Sequence, residues 1–237
     1  MSKREIVAFL PCRAGSERVR NKNTRPFDRD GSSLLERKLK QLHPVKEISK
    51  VVVSTNDPVV DNLVLKFNDP KMVVDNRPLE LCQSTTSLGS LIEYTGQLLD
   101  GVDILWTHTT SPFLGTSFYS KAIEKFRHLD KEGYDSLVTV RKEQDFFVFE
   151  DSPLNFGASQ EFWPRTQDLE PLYRLTSGIF LLSSQTMRER KNRIGKVPFF
   201  LETSLMESLD LDSEEEFCLG QILAVHEGKS GLGHPTN

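Results

Sequence analysis

The chain has 237 residues, of which 37% are hydrophobic and 27% are charged, and its formal net charge is −4. This length suits one large α/β domain or two smaller ones, and the composition excludes a fibre or a disordered chain. The acidic balance also argues against a protein whose main task is to hold nucleic acid.

The N-terminal apolar run at residues 6–12 is too short to be a membrane span, which needs roughly 20 residues. It follows Lys3 and Arg4, as a secretion signal does, but it ends at Arg13 and no cleavage site comes after it. The three cysteines are odd in number and far apart, so they predict neither a disulfide framework nor a paired-cysteine metal site. We therefore expect a cytoplasmic protein without a membrane partner.

Short apolar runs alternate with helical patterns over the first 140 residues. Strands are predicted at 6–10, 51–53, 102–106 and 136–140, and helices begin at the capping box Ser33-Leu-Leu-Glu36, at Asp57-Pro58, and near residues 86 and 117. This alternation predicts an α/β fold in which a mostly parallel sheet lies between two helical layers. Ligands of such folds bind at the carboxyl edge of the sheet.

The pattern changes after residue 140. Residues 141–176 are charged, rich in aromatic side chains and interrupted by three prolines. Such a segment is typical of an excursion that packs against something, and a second subunit is the obvious candidate. Strands at 179–182 and 197–201 and a second capping box, Ser213-Glu-Glu-Glu216, follow, and residues 228–237 are predicted to be a loose tail.

The loop after the first predicted strand is the most informative segment. It carries one acidic residue and five basic ones, which are Arg13, Arg18, Arg20, Lys22 and Arg25. Arginine forks, a lysine charge and the Gly15-Ser16 backbone suit a polyphosphate, although the Gly-Lys-Ser/Thr of a Walker loop is missing. A solvated basic surface is the alternative, but the position at a strand end favours phosphate.

Asp210 and Asp212 form a second candidate site just before the last predicted helix. Side chains two residues apart in an extended backbone point to the same side, so the two carboxylates could hold Mg²⁺ while substrate phosphates complete its shell. Helix capping is the alternative explanation. It accounts for Asp212 or Ser213 but leaves Asp210 unexplained.

Other polar residues lie next to predicted strand ends. His108 and the Thr109-Thr-Ser-Pro-Phe113 turn follow the strand at 102–106, and hydroxyl groups there suit sugar or phosphate contacts. An ordinary polar turn is the alternative. Arg77 begins a polar loop that leads into a helix, and Ser177-Gly178 precedes a strand where the backbone can approach a ligand closely.

In chain order, these motifs resemble those of the acylneuraminate cytidylyltransferases, or CMP-sialic acid synthetases, over nearly the whole chain. The matching segments are Leu10-Pro-Cys-Arg-Ala-Gly-Ser16, Lys22-Asn23, Val52-Val-Ser-Thr-Asn-Asp57, Arg77-Pro-Leu-Glu-Leu81, Thr110-Ser-Pro112, Ser177-Gly-Ile-Phe180 and Leu209-Asp-Leu-Asp-Ser-Glu-Glu215. The first and last of these are fairly specific, whereas the middle ones occur more widely among nucleotidyltransferases.

The resemblance implies a Rossmann-like nucleotidyltransferase fold that forms one domain over residues 1–237. It also implies a homodimer built through the insertion at 141–176, and Mg²⁺ as the cofactor. The implied reaction joins CTP to a 2-keto-3-deoxy sugar acid and releases pyrophosphate.

Site residues follow from the same resemblance, position by position. Catalysis is expected from Arg13, Lys22, Asp210 and Asp212, of which the two aspartates would hold the metal. The nucleotide would contact Arg13, Ser16, Lys22, Asn23, Arg77, Thr85, Thr86 and Ser87. The acid sugar would contact His108, Thr110, Ser111, Arg165, Arg174 and Ser177, with the two arginines facing its carboxylate.

This chain departs from the family's pattern most clearly around the sugar. His108 stands where the family usually has glutamine, and Ser177 where it has asparagine. Three functions therefore stay open: activation of an N-acylneuraminate or similar nonulosonate, activation of another acid sugar such as 3-deoxy-octulosonate, and binding of a nucleotide sugar without turnover.

Overall fold

The computed structural model describes residues 4–16, 18–157 and 163–227, so the tail predicted at 228–237 lies outside it, as does part of the 141–176 segment. The strands are β1 (Ile6–Pro11), β2 (Ile48–Thr55), β3 (Met72–Asn76), β4 (Asp103–Trp106), β5 (Ser136–Glu143), β6 (Val148–Phe149), β7 (Ser152–Pro153), β8 (Leu172–Ser183) and β9 (Pro198–Glu202). The α-helices are α1 (Leu34–Leu42), α2 (Pro58–Phe67), α3 (Leu88–Leu98), α4 (Thr116–Leu129), α5 (Ser184–Arg190) and α6 (Glu214–His226).

Seven strands form one central sheet in the order β3-β2-β1-β4-β8-β5-β9. β1 pairs in parallel with β2 and β4, and β5 pairs in parallel with β9. β8 runs antiparallel to both of its neighbours, β4 and β5. Helices cover the sheet on both faces, so the predicted three-layer α/β fold with a mostly parallel sheet is confirmed.

Both faces of the sheet are buried, which explains the unbroken apolar runs of its central strands. In β1, Ile6, Ala8 and Leu10 pack into one apolar cluster with α1, α2 and α4. Val7 and Phe9 point the other way, into a second cluster with α3 and α5. The period-2 alternation of side chains thus places apolar residues in two separate cores.

Helix starts follow the local chemistry of the sequence. Ser33 caps α1 and Ser213 caps α6, each in a complete capping box that satisfies two backbone N–H groups. Asp57 caps α2, whose first residue is Pro58. These three starts lie where the sequence predicts them, because the capping contacts are local and do not depend on the rest of the fold.

A two-stranded ribbon carries the predicted insertion away from the sheet. β5 and β8 stay paired beyond the sheet up to the Glu143–Leu172 pair, and β6 and β7 form a small hairpin beyond it. Phe146 stacks on Trp163 with ring centroids 4.6 Å apart. The aromatic residues of this segment therefore pack partly on each other, and its role in dimerisation stays a prediction.

Within the described part of the chain, no helix is long and apolar enough to cross a membrane.

Candidate active site

A polar cleft of about 500 Å³ lies at the carboxyl ends of β1 and β4. It is lined by residues from five chain segments: the loop after β1, the loop between β3 and α3, the turn after β4, the middle of β8, and the segment before α6. Of the predicted site residues, the cleft brings together Arg13, Ser16, Lys22, Asn23, His108, Thr110, Ser177, Asp210 and Asp212. Arg18, Ser84 and Thr109 also line it; they belong to segments that the sequence singles out, but no individual role is predicted for them.

The loop after β1 is held in place by the end of β2. The Thr55 hydroxyl donates to the carbonyl of Cys12 over 2.7 Å, and the Ala14 N–H donates to Oδ1 of Asn56 over 2.9 Å. Gly15 has a φ of +74°, a left-handed conformation that favours glycine. The chain can therefore turn sharply here, with a fixed backbone beside the cleft.

Two cations of this loop reach one carboxylate across the cleft. Lys22 Nζ lies 3.0 Å from Oδ1 of Asp212 and 3.1 Å from the carbonyl of Leu211. Arg18 lies 3.2 Å from Oδ2 of the same aspartate. Burial pushes the pKa of Asp212 upward, but its hydrogen bond and charge contacts with Lys22 and Arg18 outweigh burial and hold the pKa below the usual 3.8.

Leu211 explains why both aspartates face the cleft. Its side chain is buried in a third apolar cluster with Val19 and Phe27, and its N–H donates to the carbonyl of Thr110 over 2.9 Å. The side chains on either side of it, Asp210 and Asp212, therefore point away from that core. Since Ser213 caps α6, the Asp212 carboxylate is free of the capping role that was its alternative explanation.

The aspartate pair has the chemistry of a partial site for a hard cation. Oδ1 of Asp210 is buried and has no hydrogen-bond partner among the described residues, and a buried oxygen of that kind is costly unless something binds it. No group of three or more potential ligands from His, Cys, Asp and Glu occurs in the described residues. Two carboxylates fit Mg²⁺, which usually takes only one or two from the protein and the rest from phosphates and water.

His108 also lines the cleft, and its environment is unusual. Its Nε2 is 3.0 Å from the indole nitrogen of Trp106 and 3.0 Å from a guanidinium nitrogen of Arg193. Burial, followed by the charges of Arg193 and Lys22, lowers the pKa of His108 to about 3. Because both neighbours are donors, Nε2 acts as the acceptor and the single proton lies on Nδ1.

Several residues expected to contact the nucleotide lie outside the cleft lining. The guanidinium of Arg77 is buried and donates to the hydroxyl of Ser54 over 3.0 Å and to its carbonyl over 2.7 Å, so it supports the end of β2. Thr86 bonds to the carbonyl of Glu80, and Ser87 caps α3. Thr85, like these, does not line the cleft, whereas its neighbour Ser84 does.

The residues expected near the sugar are divided in the same way. Ser111 is buried, and its carbonyl accepts a hydrogen bond from Lys38. Arg165 is paired with Asp168, and Arg174 with Glu143. Arg174 nevertheless lines an adjoining cavity of about 370 Å³ that shares Asp210 and Asp212 with the cleft.

Solved structures with the same fold include several enzymes. One is 4-diphosphocytidyl-2C-methyl-D-erythritol synthase from Anaerococcus prevotii, with a TM-score of 0.67, 13% identity, and coverage of 93% of this chain and 96% of that one. Another is CMP:2-keto-3-deoxy-manno-octonic acid synthetase complexed with CTP, with a TM-score of 0.64, 15% identity, and coverage of 94% and 98%. The Francisella tularensis 2-C-methyl-D-erythritol 4-phosphate cytidylyltransferase matches with a TM-score of 0.61, 11% identity, and coverage of 92% and 98%.

At these identities, the structural matches establish the fold alone. No curated protein matches the chain. A family model described as Cytidylyltransferase matches residues 7–222, which include the whole cleft. The chain therefore belongs to the cytidylyltransferase family.

Proposed function

We propose that the protein transfers the cytidylyl group of CTP to a 2-keto-3-deoxy sugar acid, an N-acylneuraminate or similar nonulosonate. The anomeric hydroxyl oxygen attacks the α-phosphorus and loses its proton, and the bond from the α-phosphorus to the bridging oxygen breaks. Pyrophosphate leaves with that electron pair. The observation that carries the proposal is the convergence of Lys22 and Arg18 with the Asp210–Asp212 pair in one cleft.

The contacts of Asp212 suggest how a triphosphate enters. Lys22 and Arg18 neutralise this carboxylate. The exposed Arg18–Asp212 pair contributes only about 0–1 kcal/mol. A triphosphate also offers Lys22 several negative charges in place of one, so it competes for both cations. The exchange would leave Asp212 with a free carboxylate beside Asp210.

Asp210 and Asp212 would hold the Mg²⁺, which when bound would neutralise charge on the phosphates. Lys22 and Arg13 then offset the negative charge that grows on the leaving pyrophosphate. The fixed backbone at Gly15 and Ser16 adds N–H donors beside the phosphates. The chain's own contribution is thus mostly positioning and charge neutralisation.

The assignment of an acid sugar as the acceptor rests on the sequence motifs and on one named relative. The structural match to CMP:2-keto-3-deoxy-manno-octonic acid synthetase makes 3-deoxy-octulosonate the first alternative acceptor. Nucleotide-sugar binding without turnover is the second. His108 donates from Nδ1 where the family's glutamine would offer an amide, and we propose that it contacts the sugar, together with Thr110 and Ser177. A cytoplasmic homodimer that uses residues 141–176 belongs to the same proposal.

The test is pyrophosphate release from CTP and Mg²⁺ with a panel of acceptors. The panel contains N-acetylneuraminate, legionaminate, pseudaminate, 3-deoxy-octulosonate and 2-C-methyl-D-erythritol 4-phosphate. We expect turnover with a nonulosonate and the formation of its CMP conjugate. Tight CTP binding without pyrophosphate release for any acceptor would contradict the proposal and favour the binding protein.

A further inference from the structure

Arg193 is a largely buried cation without an acidic partner. Its guanidinium lies over the ring of Phe180, 4.1 Å from the centroid, and 5.2 Å from the centroid of Trp106. Its hydrogen bond goes to the neutral His108, and it forms no salt bridge with any carboxylate of the described residues. Burial lowers the pKa of Arg193 to about 10, so the group stays charged at neutral pH.

The turn that carries Arg193 is rigid. Asp135 accepts hydrogen bonds from the N–H groups of Lys196 and Val197, over 2.6 Å and 3.0 Å. Gly195 packs so closely that an added Cβ would lie 2.1 Å from Oδ1 of Asp135. The backbone of the turn is therefore fixed, and the contacts with His108 and Phe180 orient the guanidinium itself. This preorganisation reduces the entropy lost on binding.

Arg193 lines a cavity of about 420 Å³ between the start of α3 and the outer part of β8. Ser177 lines both this cavity and the nucleotide cleft, so the two spaces adjoin. Leu88, Ile92 and Phe180 supply apolar walls. A charge contact between such walls is less screened by water than one on an open surface.

We propose that Arg193 binds the anionic group of the acceptor, placing the attacking hydroxyl against the nucleotide cleft. The inference rests on the proposed function, because it concerns the second substrate of that reaction. A buried cation without a partner is costly, and the two aromatic rings offset only part of that cost. An acceptor carboxylate or phosphate would complete the site with a charge-assisted, bidentate contact.

Arg193 thus takes the carboxylate contact that the sequence assigns to Arg165 and Arg174. Both of those arginines have acidic partners in the structure. Arg193 would act as a positioning residue, since it touches the substrate away from the reacting atoms. His108 would hold it in place through Nε2.

The experiment measures equilibrium binding and turnover for the wild type, Arg193→Met, Arg193→Lys and the control Arg190→Met. Arg190 is exposed and lies outside both cavities. Each acid is compared with a neutral partner: N-acetylneuraminate and 3-deoxy-octulosonate with their methyl esters, and 2-C-methyl-D-erythritol 4-phosphate with the free tetrol. The first two pairs test for recognition of a carboxylate, and the third pair tests for recognition of a phosphate.

We expect Arg193→Met to weaken binding of the preferred acid about 10- to 100-fold, the range for one hydrogen-bonded charge contact. The KM for CTP and the affinity for the neutral partner should not change, and Arg193→Lys should recover part of the loss. Equal losses for acid and neutral partner, or none for either, would overturn the inference. So would a wild type that binds no acid more tightly than its neutral partner.

The outcomes separate the two proposals. Selective acid binding through Arg193 without pyrophosphate release would sustain this inference and remove the proposed function. Pyrophosphate release that Arg193→Met leaves unchanged would sustain the proposed function and remove this inference.

Discussion

The cleft and the cavity beside it carry positive charge in different ways. In the cleft, Lys22 and Arg18 are paired with Asp212; Arg18 keeps 70% of its side chain exposed, whereas Lys22 keeps 13%. In the adjoining cavity, Arg193 is mostly buried, lies against aromatic rings and is hydrogen-bonded to a neutral histidine. The cleft thus holds cations that are already paired with a carboxylate, and the cavity holds a cation with no carboxylate partner among the described residues.

These two arrangements of positive charge suit different kinds of ligand. A triphosphate and a metal bring large charges of both signs, and the weak, exposed Arg18–Asp212 pair can rearrange around them. An acceptor with a single anionic group gains most from one preorganised cation in an apolar surrounding.

Asp210→Asn should lower kcat by roughly 10²- to 10³-fold, the range for losing one electrostatic contact to a transition state. Asparagine keeps the shape of the side chain but not the charge that we assign to metal binding. The fold should survive, because Oδ1 of Asp210 has no hydrogen-bond partner in the described residues. Turnover with Mg²⁺ and the melting temperature are the measurements.

Glu215→Gln is the control, since this exposed carboxylate is not part of the cleft lining. Full activity of Asp210→Asn would remove the aspartate from the mechanism.

Lys22→Met should reduce kcat/KM for CTP about 10- to 100-fold, because a charge-assisted contact to the phosphates is lost. The KM for the acceptor should stay the same, which separates the role of the cleft from that of the Arg193 cavity. Lys40→Met is a suitable control, since Lys40 is an exposed lysine paired with Asp30. A change in acceptor KM as large as that for CTP would show that the cleft and the cavity do not act separately.

Gly195→Ala should destabilise the protein by about 1–3 kcal/mol, as overpacking typically does. The new methyl group would collide with Asp135 and Ser136 and move the turn that holds Arg193. Acceptor KM should therefore rise while CTP binding is kept. Urea unfolding and steady-state kinetics measure the two effects. Gly115→Ala is the control for acceptor KM, because nothing lies within 4 Å of an added Cβ there. Gly115 is the N-cap of α4, so this variant should lose some stability but keep a normal acceptor KM. Normal acceptor KM in Gly195→Ala would contradict the role of the rigid turn.

His108→Gln should have the smallest effect, on the pH dependence of stability. With the pKa of folded His108 at about 3 against an ordinary 6.5, the unfolded chain binds more protons between these values. The free energy of unfolding therefore falls as pH falls through this window, by at most about 1.4 kcal/mol per pH unit from this one group.

Glutamine does not titrate, so the wild type should lose more stability than His108→Gln between about pH 6.5 and 3, a window fixed by the folded and unfolded pKa values of His108. Urea unfolding at a series of pH values gives the difference, in which contributions from other groups cancel. Parallel curves for the two proteins would show that His108 is not held neutral.

The sequence predicts most of the fold where local signals decide it. The capping contacts of α1, α2 and α6 involve neighbours in the chain, and the strands of the sheet centre are apolar on both faces. β3 and α5 were not predicted. β3 is a short edge strand with polar residues at its end, and α5 is a polar seven-residue helix, so neither has a clear hydrophobic period.

The site divides in the same way. The loop after β1 and the aspartate pair concentrate their charges in short segments, so the sequence alone identifies them as candidate site residues. Arg193 stands between other cations in Lys191-Asn-Arg-Ile-Gly-Lys196 and resembles a solvated turn. Its setting depends on Phe180 and Trp106, which the pairing of β4 with β8 brings side by side. For Arg77, the sequence predicts a nucleotide contact that the structure does not support. Its guanidinium is buried against Ser54, a tertiary contact that no local pattern indicates.

The most direct test of the account is a crystal structure grown with a non-cleavable CTP analogue and Mn²⁺ in place of Mg²⁺. The account predicts an anomalous peak for the metal at the carboxylates of Asp210 and Asp212. It also predicts that Lys22 will have turned from Asp212 to the triphosphate. A triphosphate bound outside this cleft, or a metal bound without either aspartate, would contradict it.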